Sequence, residues 1–155
     1  MNDLTIRKAT LDDLAALLEL EQGIIAAERP FNSTIKKSHC TYYNINKFIT
    51  DDNTYLLVAE TNNKIIASGY SQLRVSGISL KHEQHAYFGF MFVEEKYRGK
   101  GIIKHLMDEL INWSKGQGMA DFYLDVYSEN TAAIRTYEKA GFSKCLVEMK
   151  LNLDE

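Results

Sequence analysis

Two stretches of this chain carry residues whose types and spacing suit an anionic ligand and the handling of a proton. In the first, Val93-Glu94-Glu95-Lys96-Tyr97-Arg98-Gly99-Lys100-Gly101-Ile102-Ile103-Lys104, an apolar run enters a glycine-containing turn and then opens a long helical pattern. The first turn of a helix leaves backbone N–H groups without intrahelical partners, and the macrodipole makes that end partly positive. Phosphate oxygens fit such a site when small residues let the main chain approach them. Gly99 and Gly101 are small, and Lys96, Arg98, Lys100 and Lys104 add charge with no acid among them. Two other phosphate loops are excluded. The pattern G-x-G-x-x-G needs glycine where Lys104 stands, and the triphosphate loop needs Ser or Thr where Gly101 follows Gly99-Lys100. The alternative reading of this segment alone is a helix cap with solvated charges.

The second stretch holds Asn130, Ala133, Tyr137, Gly141 and Phe142. At ~100° per residue, positions 130, 133 and 137 fall in a stripe roughly 60° wide, so one helix face presents an amide, a small residue and a phenol. Asn130 also suits an N-cap. Taken alone, Tyr137 reads as a half-buried core aromatic. The anion-binding turn upstream is what gives its phenol a chemical role.

The elements that must position these residues follow from periodicity. Leu4–Thr10 reads as a first strand, and Thr10 before Asp12 and Asp13 starts a helix that Pro30 ends. A weaker helical segment is expected from about Ser38 to Ile49. Tyr55–Ala59 and Lys64–Tyr70 flank Thr61-Asn62-Asn63, a hairpin turn, because Asn tolerates positive φ. Ala86–Val93 is apolar on both faces and reads as a central strand of a covered sheet. Ile103, Leu106, Met107, Leu110 and Ile111 give the next helix its apolar stripe, closed by Gly116 and Gly118. Phe122, Leu124 and Val126 alternate with polar neighbours as a further strand, a short helix spans about Thr131–Lys139, and Phe142–Leu153 supplies the last strand or strands. The architecture is α/β in one domain, residues 1–155.

Composition excludes several classes. With 45% apolar and 25% charged residues the chain is not disordered, and 9 glycines with one proline exclude collagen-like or linker-dominated chains. Eighteen cations against 21 acids leave −3, so a broadly basic surface is absent and no nucleic-acid partner is expected. Cys40 and Cys145 are too few for a disulfide framework, match no metal-ligand spacing and are expected as free thiols. No metal is expected. Met1–Thr5 shows no basic segment before an apolar run, and the longest apolar stretch, Ala86–Val93, is far short of the ~20 residues a membrane helix needs. A soluble, cytoplasmic protein without a membrane partner is expected.

Together the two stretches resemble the GNAT superfamily of N-acetyltransferases. Its first signature, Arg/Gln-x-x-Gly-x-Gly/Ala, is matched by Arg98-Gly99-Lys100-Gly101-Ile102-Ile103 except at the last place. Its second, Asn-x-x-Ala-x-x-x-Tyr-x-x-x-Gly-Phe, is satisfied at every position from Asn130 to Phe142. Thr5-Ile6-Arg7-Lys8-Ala9-Thr10 followed by Asp12-Asp13 looks like the family's usual opening.

The resemblance implies a mixed, mostly antiparallel sheet flanked by helices, with a V-shaped splay between the fourth and fifth strands that takes acetyl-CoA as co-substrate. It implies that Met91, Phe92 and Val93 offer main-chain hydrogen bonds to the pantetheine arm and acetyl group. Arg98, Gly99, Lys100, Gly101, Ile102 and Ile103 would hold the pyrophosphate with main-chain amides, and Asn130 and Ala133 would line the pantetheine. Ile103 replaces a small residue but keeps its N–H, so cofactor binding is expected with its side chain turned to the core. Tyr137 would sit near the thioester sulfur as general acid to the departing thiolate, while a primary amine of a small molecule or peptide attacks directly. Negative charge on the oxygen would be met by a main-chain N–H near Phe92. Ala86–Val93 contains no carboxylate to serve as base, which leaves His85 first and Tyr87 nearby; Glu28 and Glu83 could act from flanking segments but read first as solvated surface groups. Acceptor choice is expected to lie in residues 28–43 and 77–84. Many such proteins dimerise, so a homodimer is among the expected states. A non-catalytic acyl-CoA-binding module is the competing reading. Residues 96–104 carry +4, leaving −7 on the rest, which suits a cationic acceptor beside an anionic donor.

Overall fold

The structure, a computed structural model, describes residues 3–154. Five strands form one sheet in the order β1-β2-β3-β4-β5: β1 Thr5–Lys8, β2 Thr54–Thr61, β3 Lys64–Val75, β4 Gln84–Val93 and β5 Phe122–Leu124. The first four pair antiparallel, and β5 joins β4 in parallel, as its arrival through a helical crossover requires. The turn between β2 and β3 places Asn62 at φ 50° and Asn63 at φ 58°, the left-handed pair that a tight hairpin demands.

Helices cover both faces. α1 (Leu14–Glu28) and α2 (Ile45–Thr50) pack on one, and α3 (Ile102–Gly116) on the other; α4 (Thr131–Lys139) follows β5. Successive residues of β2 feed opposite cores. Leu57 and Ala59 meet Leu106 and Leu110 of α3, whereas Leu56 and Val58 meet Leu17 and Leu20 of α1. The start of α1 is held by an ion-pair fork. Both Arg7 guanidinium nitrogens donate to Asp13 at 2.8 and 2.9 Å, one also donates to Glu60 at 2.8 Å, and the Thr10 N–H donates to Asp13 at 2.8 Å. No helix among the described residues is long and apolar enough to cross a membrane.

The feature that shapes the site is a bulge in β4. Tyr70 pairs with Gly89 but Ser68 with Phe92, so β4 carries one residue more than β3 across this step. Phe90 takes φ 53°, and the facing of the strand flips. Phe88 lies in the α3 core, while Phe90 and Phe92 lie in the α1 core. A β-carbon on Gly89 would collide with the Tyr70 ring, and one on Gly23 of α1 would come within 2.7 Å of Phe92. Both glycines are there to let rings approach backbone.

Four expectations need correction. The helix expected from Ser38 begins only at Ile45, because Glu21 and Gln22 of α1 hold the preceding main chain in another course. The Glu21 carboxylate accepts from the N–H groups of Tyr42 and Tyr43 at 2.9 and 2.8 Å, and the Gln22 amide donates to the Cys40 carbonyl at 2.9 Å. The stripe of α3 runs through Ile102, Leu106, Leu110 and Ser114, with Ile103 and Ile111 half-buried beside it. Its closing glycine is Gly118, at φ 89°, while Gly116 is still helical. Phe142–Leu153 forms no strand. A strand exists only through a ladder, and residues 143–154 make no main-chain hydrogen bond to the sheet.

Candidate active site

β5 pairs with β4 only over Ala86–Phe88, ending at Phe88 opposite Leu124. β4 continues through the bulge to Val93 with no neighbour on that side among the described residues. The two parallel strands therefore part at the point where β4 reverses its facing, a splay that leaves Met91-Phe92-Val93 without a strand partner on the β5 side.

At the carboxyl end of β4, Glu95–Tyr97 forms a 3-10 turn that delivers Arg98–Gly101 to the start of α3. Gly99 and Gly101 adopt φ 76° and 78°, and a β-carbon on either would find no atom within 4 Å. Among the described residues the N–H groups of residues 99–104 have no hydrogen-bond partner, and the first bonded donor of the helix is His105, to Gly101 at 3.2 Å. Six main-chain donors beside open space form a cradle that fits a pyrophosphate. The side-chain charges contribute less than their number implies. Arg98 folds back to donate to the Val93 carbonyl at 3.0 Å, and Lys104 pairs with Asp108 at 2.6 Å. Lys96 and Lys100 rest over the Tyr97 ring.

Across the cleft, Asn130 caps α4 by accepting from the Ala133 N–H at 3.3 Å, which leaves its amide N–H₂ free. Tyr137, two turns on, is half-buried and packs edge-on against Phe142 with centroids 6.3 Å apart. Burial pushes its phenol up to about 12, helped by the charge of Glu28.

Glu28 ends α1, and its half-buried carboxyl is raised by burial above the usual carboxylate range. The phenols of Tyr42, Tyr43 and Tyr137 all feel it. Tyr42 holds a buried hydroxyl beside it with no well-directed hydrogen bond. The segment after α1 is fastened across the cleft. Asn32 donates to the Tyr127 hydroxyl at 3.0 Å, Phe31 stacks on the Tyr127 ring, and Arg29 donates to the carbonyls of Lys36 and Ser38. The Tyr87 hydroxyl donates to Asp125 at 3.0 Å, one residue past the end of β5, with the Arg74 guanidinium 3.7 Å from the Tyr87 ring centroid.

The comparisons with known proteins agree with this geometry. Residues 21–142 match the family model described as acetyltransferase (GNAT) family. This chain belongs to the GNAT family. An uncharacterized N-acetyltransferase of Methanocaldococcus jannaschii is 30% identical over 142 residues, which cover 90% of this chain and 61% of that protein. The chain spans about three fifths of that relative's length and less of the other curated relatives it matches. In fold it is similar to a Bacillus halodurans protein, solved as a mutant, at TM-score 0.85 and 24% identity over 96% of this chain and 99% of that one. It is also similar to a predicted acetyltransferase from Clostridium acetobutylicum, solved with acetyl-CoA, at TM-score 0.77 and 24% identity over 97% and 96%.

Against the GNAT signatures, Met91, Phe92, Val93 and the Arg98–Ile103 turn line one side of the splay, and Asn130, Ala133 and Tyr137 stand on α4 beyond it. Ile102 is fully buried and Ile103 half-buried against the α3 core, so the departure at Ile103 leaves the cradle's N–H groups free. His85 is elsewhere. It lies three residues before the last β4–β5 pair, about 10 Å along the strand. There it shares the Ser76 hydroxyl with His82 at 2.9 and 2.6 Å and lies edge-on to Tyr123. Burial lowers its pKa, as do the charges of His82 and Arg74. The features that sequence reasoning missed are the Phe90 bulge, the Asn32–Tyr127 clasp and the Tyr87–Asp125 pair. Only a Gly-aromatic step inside an apolar run hinted at the first.

Proposed function

We propose that this chain transfers an acetyl group from acetyl-CoA to a primary amine of a small molecule or peptide by direct attack. The observation that carries the reading is the splay itself, with six free main-chain donors at one end and a phenol and carboxylates at the other. Acetyl-CoA would supply the activated acyl group as co-substrate. The cradle at 99–104 fits its pyrophosphate, Met91–Val93 offers main-chain groups to its arm, and Asn130 and Ala133 face it from α4.

Tyr137 acts on the leaving side. A phenol near 12 does not surrender its proton to a thiolate whose thiol ionises near 8.5. Full transfer would therefore run uphill. Its acid role is therefore a hydrogen bond donated to the developing thiolate, for which a firmly held proton is an advantage. A main-chain N–H near Phe92 serves the oxygen.

An alkylammonium must lose a proton before it attacks. Two observations support Glu28 for this step ahead of His85: its charge is felt by Tyr137, and burial makes its carboxylate more basic than usual. Asp125, held by Tyr87, is available to attract the cationic acceptor. The test is release of CoA thiol over a panel of amines, polyamines and peptides. Glu28→Gln is expected to lower kcat about 100-fold near neutral pH, with the deficit narrowing as pH rises and the amine arrives neutral. His85→Gln is expected to stay within about threefold of the parent. The reverse pattern assigns the base to His85, and acetyl-CoA binding without thiol release for any amine returns the binding-module reading.

A further inference from the structure

The loop between β3 and β4 is tied down by four side chains that have no part in the proposed reaction. The Ser76 hydroxyl lies 2.6 Å from Nδ1 of His82 and 2.9 Å from Nδ1 of His85, and Nε2 of His82 lies 2.9 Å from the Tyr123 hydroxyl. The three rings pack on one another with centroids 5.0 to 5.9 Å apart. All four residues are half-buried. Ser76 follows β3, His82 belongs to the loop, His85 is on β4, and Tyr123 is the middle residue of β5. These bonds therefore reach across β4 and fasten the loop to β5, a strand otherwise held by the short ladder from Ala86–Phe122 to Phe88–Leu124.

Counting hydrogens limits how many protons this arrangement accepts. Ser76 brings one hydroxyl hydrogen to two imidazole nitrogens, so with both rings neutral one ring donates to the oxygen and the other accepts from the hydroxyl. One added proton is absorbed without loss. His82 then donates at both nitrogens, to Ser76 and to Tyr123, while the hydroxyl hydrogen turns to His85. A second added proton leaves that hydrogen without an acceptor in the cluster and sets two imidazolium rings 5.9 Å apart, where like charges repel. The other groups facing the pair do not relieve this. Arg74, the cross-strand neighbour of His85 on β3, adds a cation and Asp121, before β5, an acid, while Lys81 and Glu83 flank His82 in the chain with opposite charges. Burial first, then the charges of His82 and Arg74, make His85 harder to protonate, against the smaller pull of Asp121.

We propose that Ser76, His82, His85 and Tyr123 form a proton-operated latch, closed with at most one added proton on the histidine pair and released by the second, which frees residues 77–83 from β5. The direction follows from linkage. An imidazole that binds its proton less tightly in the latched form stabilises that form above the ordinary histidine pKa of about 6.5, and the stabilisation is lost as pH falls below it. Opening therefore belongs to mildly acidic conditions. A cluster that serves packing alone would hold its loop equally at pH 5 and pH 7.5. β5 is also the strand whose parting from β4 makes the splay, so acid would regulate the site through it. This consequence rests on the acetyltransferase reading above, whereas the latch itself does not.

The test is imidazole NMR of the full chain between about pH 8 and pH 5, with amide hydrogen exchange on the same samples. His39 and His105, exposed and outside the cluster, serve as internal references. In the parent the two clustered imidazoles are expected to titrate as a coupled pair, in steps at least about one pH unit apart. The amides of Ser76 and Leu80 hold the loop's main-chain bonds, to Glu83 and Gly77. Corrected for intrinsic exchange, their protection is expected to fall about tenfold or more between pH 7.5 and pH 5. Tyr123→Phe keeps the ring and removes the anchor, so protection at pH 7.5 drops to the parent's level at pH 5 and its pH dependence disappears, with circular dichroism unchanged. Ser76→Ala, which removes the shared hydroxyl, gives the same result by a different cut. Independent titration of the two imidazoles overturns the proposal. So does a parent loop equally protected at both pH values, or a pH dependence that survives both Tyr123→Phe and Ser76→Ala. None of these readouts depends on catalysis, so failure of the latch and failure of the enzymatic reading are separable.

Discussion

Replacing Gly101 with alanine separates the cost of a backbone conformation from the loss of a phosphate cradle. Gly101 sits at φ 78°, where an L-residue pays about 1–2 kcal/mol. Its added β-carbon meets no protein atom within 4 Å, so no packing term adds to that strain. For a domain of this size each kcal/mol moves Tm by about 2–4 °C, which places the expected loss at about 2–8 °C. Gly118, at the opposite end of α3, is the matched control. It has φ 89° and the same open space but stands about 22 Å from the cradle, beyond the 15 residues of α3. Gly118→Ala should lose a similar amount of stability and bind CoA unchanged. Gly101→Ala should also weaken CoA about tenfold or more, since the new methyl projects into the space beside the six free N–H groups. Thermal melts and calorimetric titration with CoA read the two effects independently. Equal CoA affinity in both variants, with equal loss of Tm, would refute the placement of the phosphate site while leaving the fold argument intact.

Three further outcomes are expected. Tyr137→Phe removes a hydrogen bond to a developing thiolate, worth about 1.5–3 kcal/mol, so kcat should fall about 10- to 150-fold with CoA affinity within about threefold; steady-state kinetics with calorimetry checks the split. Asp13→Asn breaks the fork with Arg7, whose hydrogen bonds hold the Asp13 carboxyl below its usual range. A depressed carboxylate stabilises the fold above its unfolded pKa and ceases to as pH falls through its folded one. The variant should therefore be less stable by about 1–3 kcal/mol at pH 7 and converge on the parent below about pH 4 in urea melts. Gly23→Ala inverts the usual gain from alanine in a helix, because its β-carbon would lie 2.7 Å from the Phe92 ring. Tm should fall, and a rise would show that Phe92 yields freely.

Much of this arrangement was legible in the sequence because it rests on local rules. Pro30 limits α1, Asn62-Asn63 turns the hairpin, and Asn130 to Gly141 bounds α4 where the residues say it should. What escaped depends on contacts between distant residues. Ala86–Val93 is apolar on both faces, and that pattern conceals a bulge, since an extra residue that flips the facing exchanges one apolar side chain for another. The Ser38–Ile49 pattern was overruled by Glu21 and Gln22, some twenty residues away. A strand pattern at 147–153 is plain in the sequence, yet no ladder forms there, because a strand needs a neighbour that periodicity alone does not supply.

Charge is where sequence and structure diverge most usefully. The four cations of residues 96–104 were expected to add charge to a main-chain site, yet Arg98 is bonded to Val93 and Lys104 to Asp108. The six main-chain N–H groups of residues 99–104 neither titrate nor swing away, and they have no hydrogen-bond partner among the described residues. The acids tell the converse story. Glu28 and Asp125 are 97 positions apart, and nothing in the sequence joins them. The fold sets one at the end of α1 and the other just beyond β5, hydrogen-bonded to Tyr87. On the acetyltransferase reading proposed above, main-chain donors at one end and carboxylates at the other would orient an anionic donor against a cationic acceptor, and substitution of a surface lysine at 96 or 100 should disturb that arrangement far less than a methyl at Gly101.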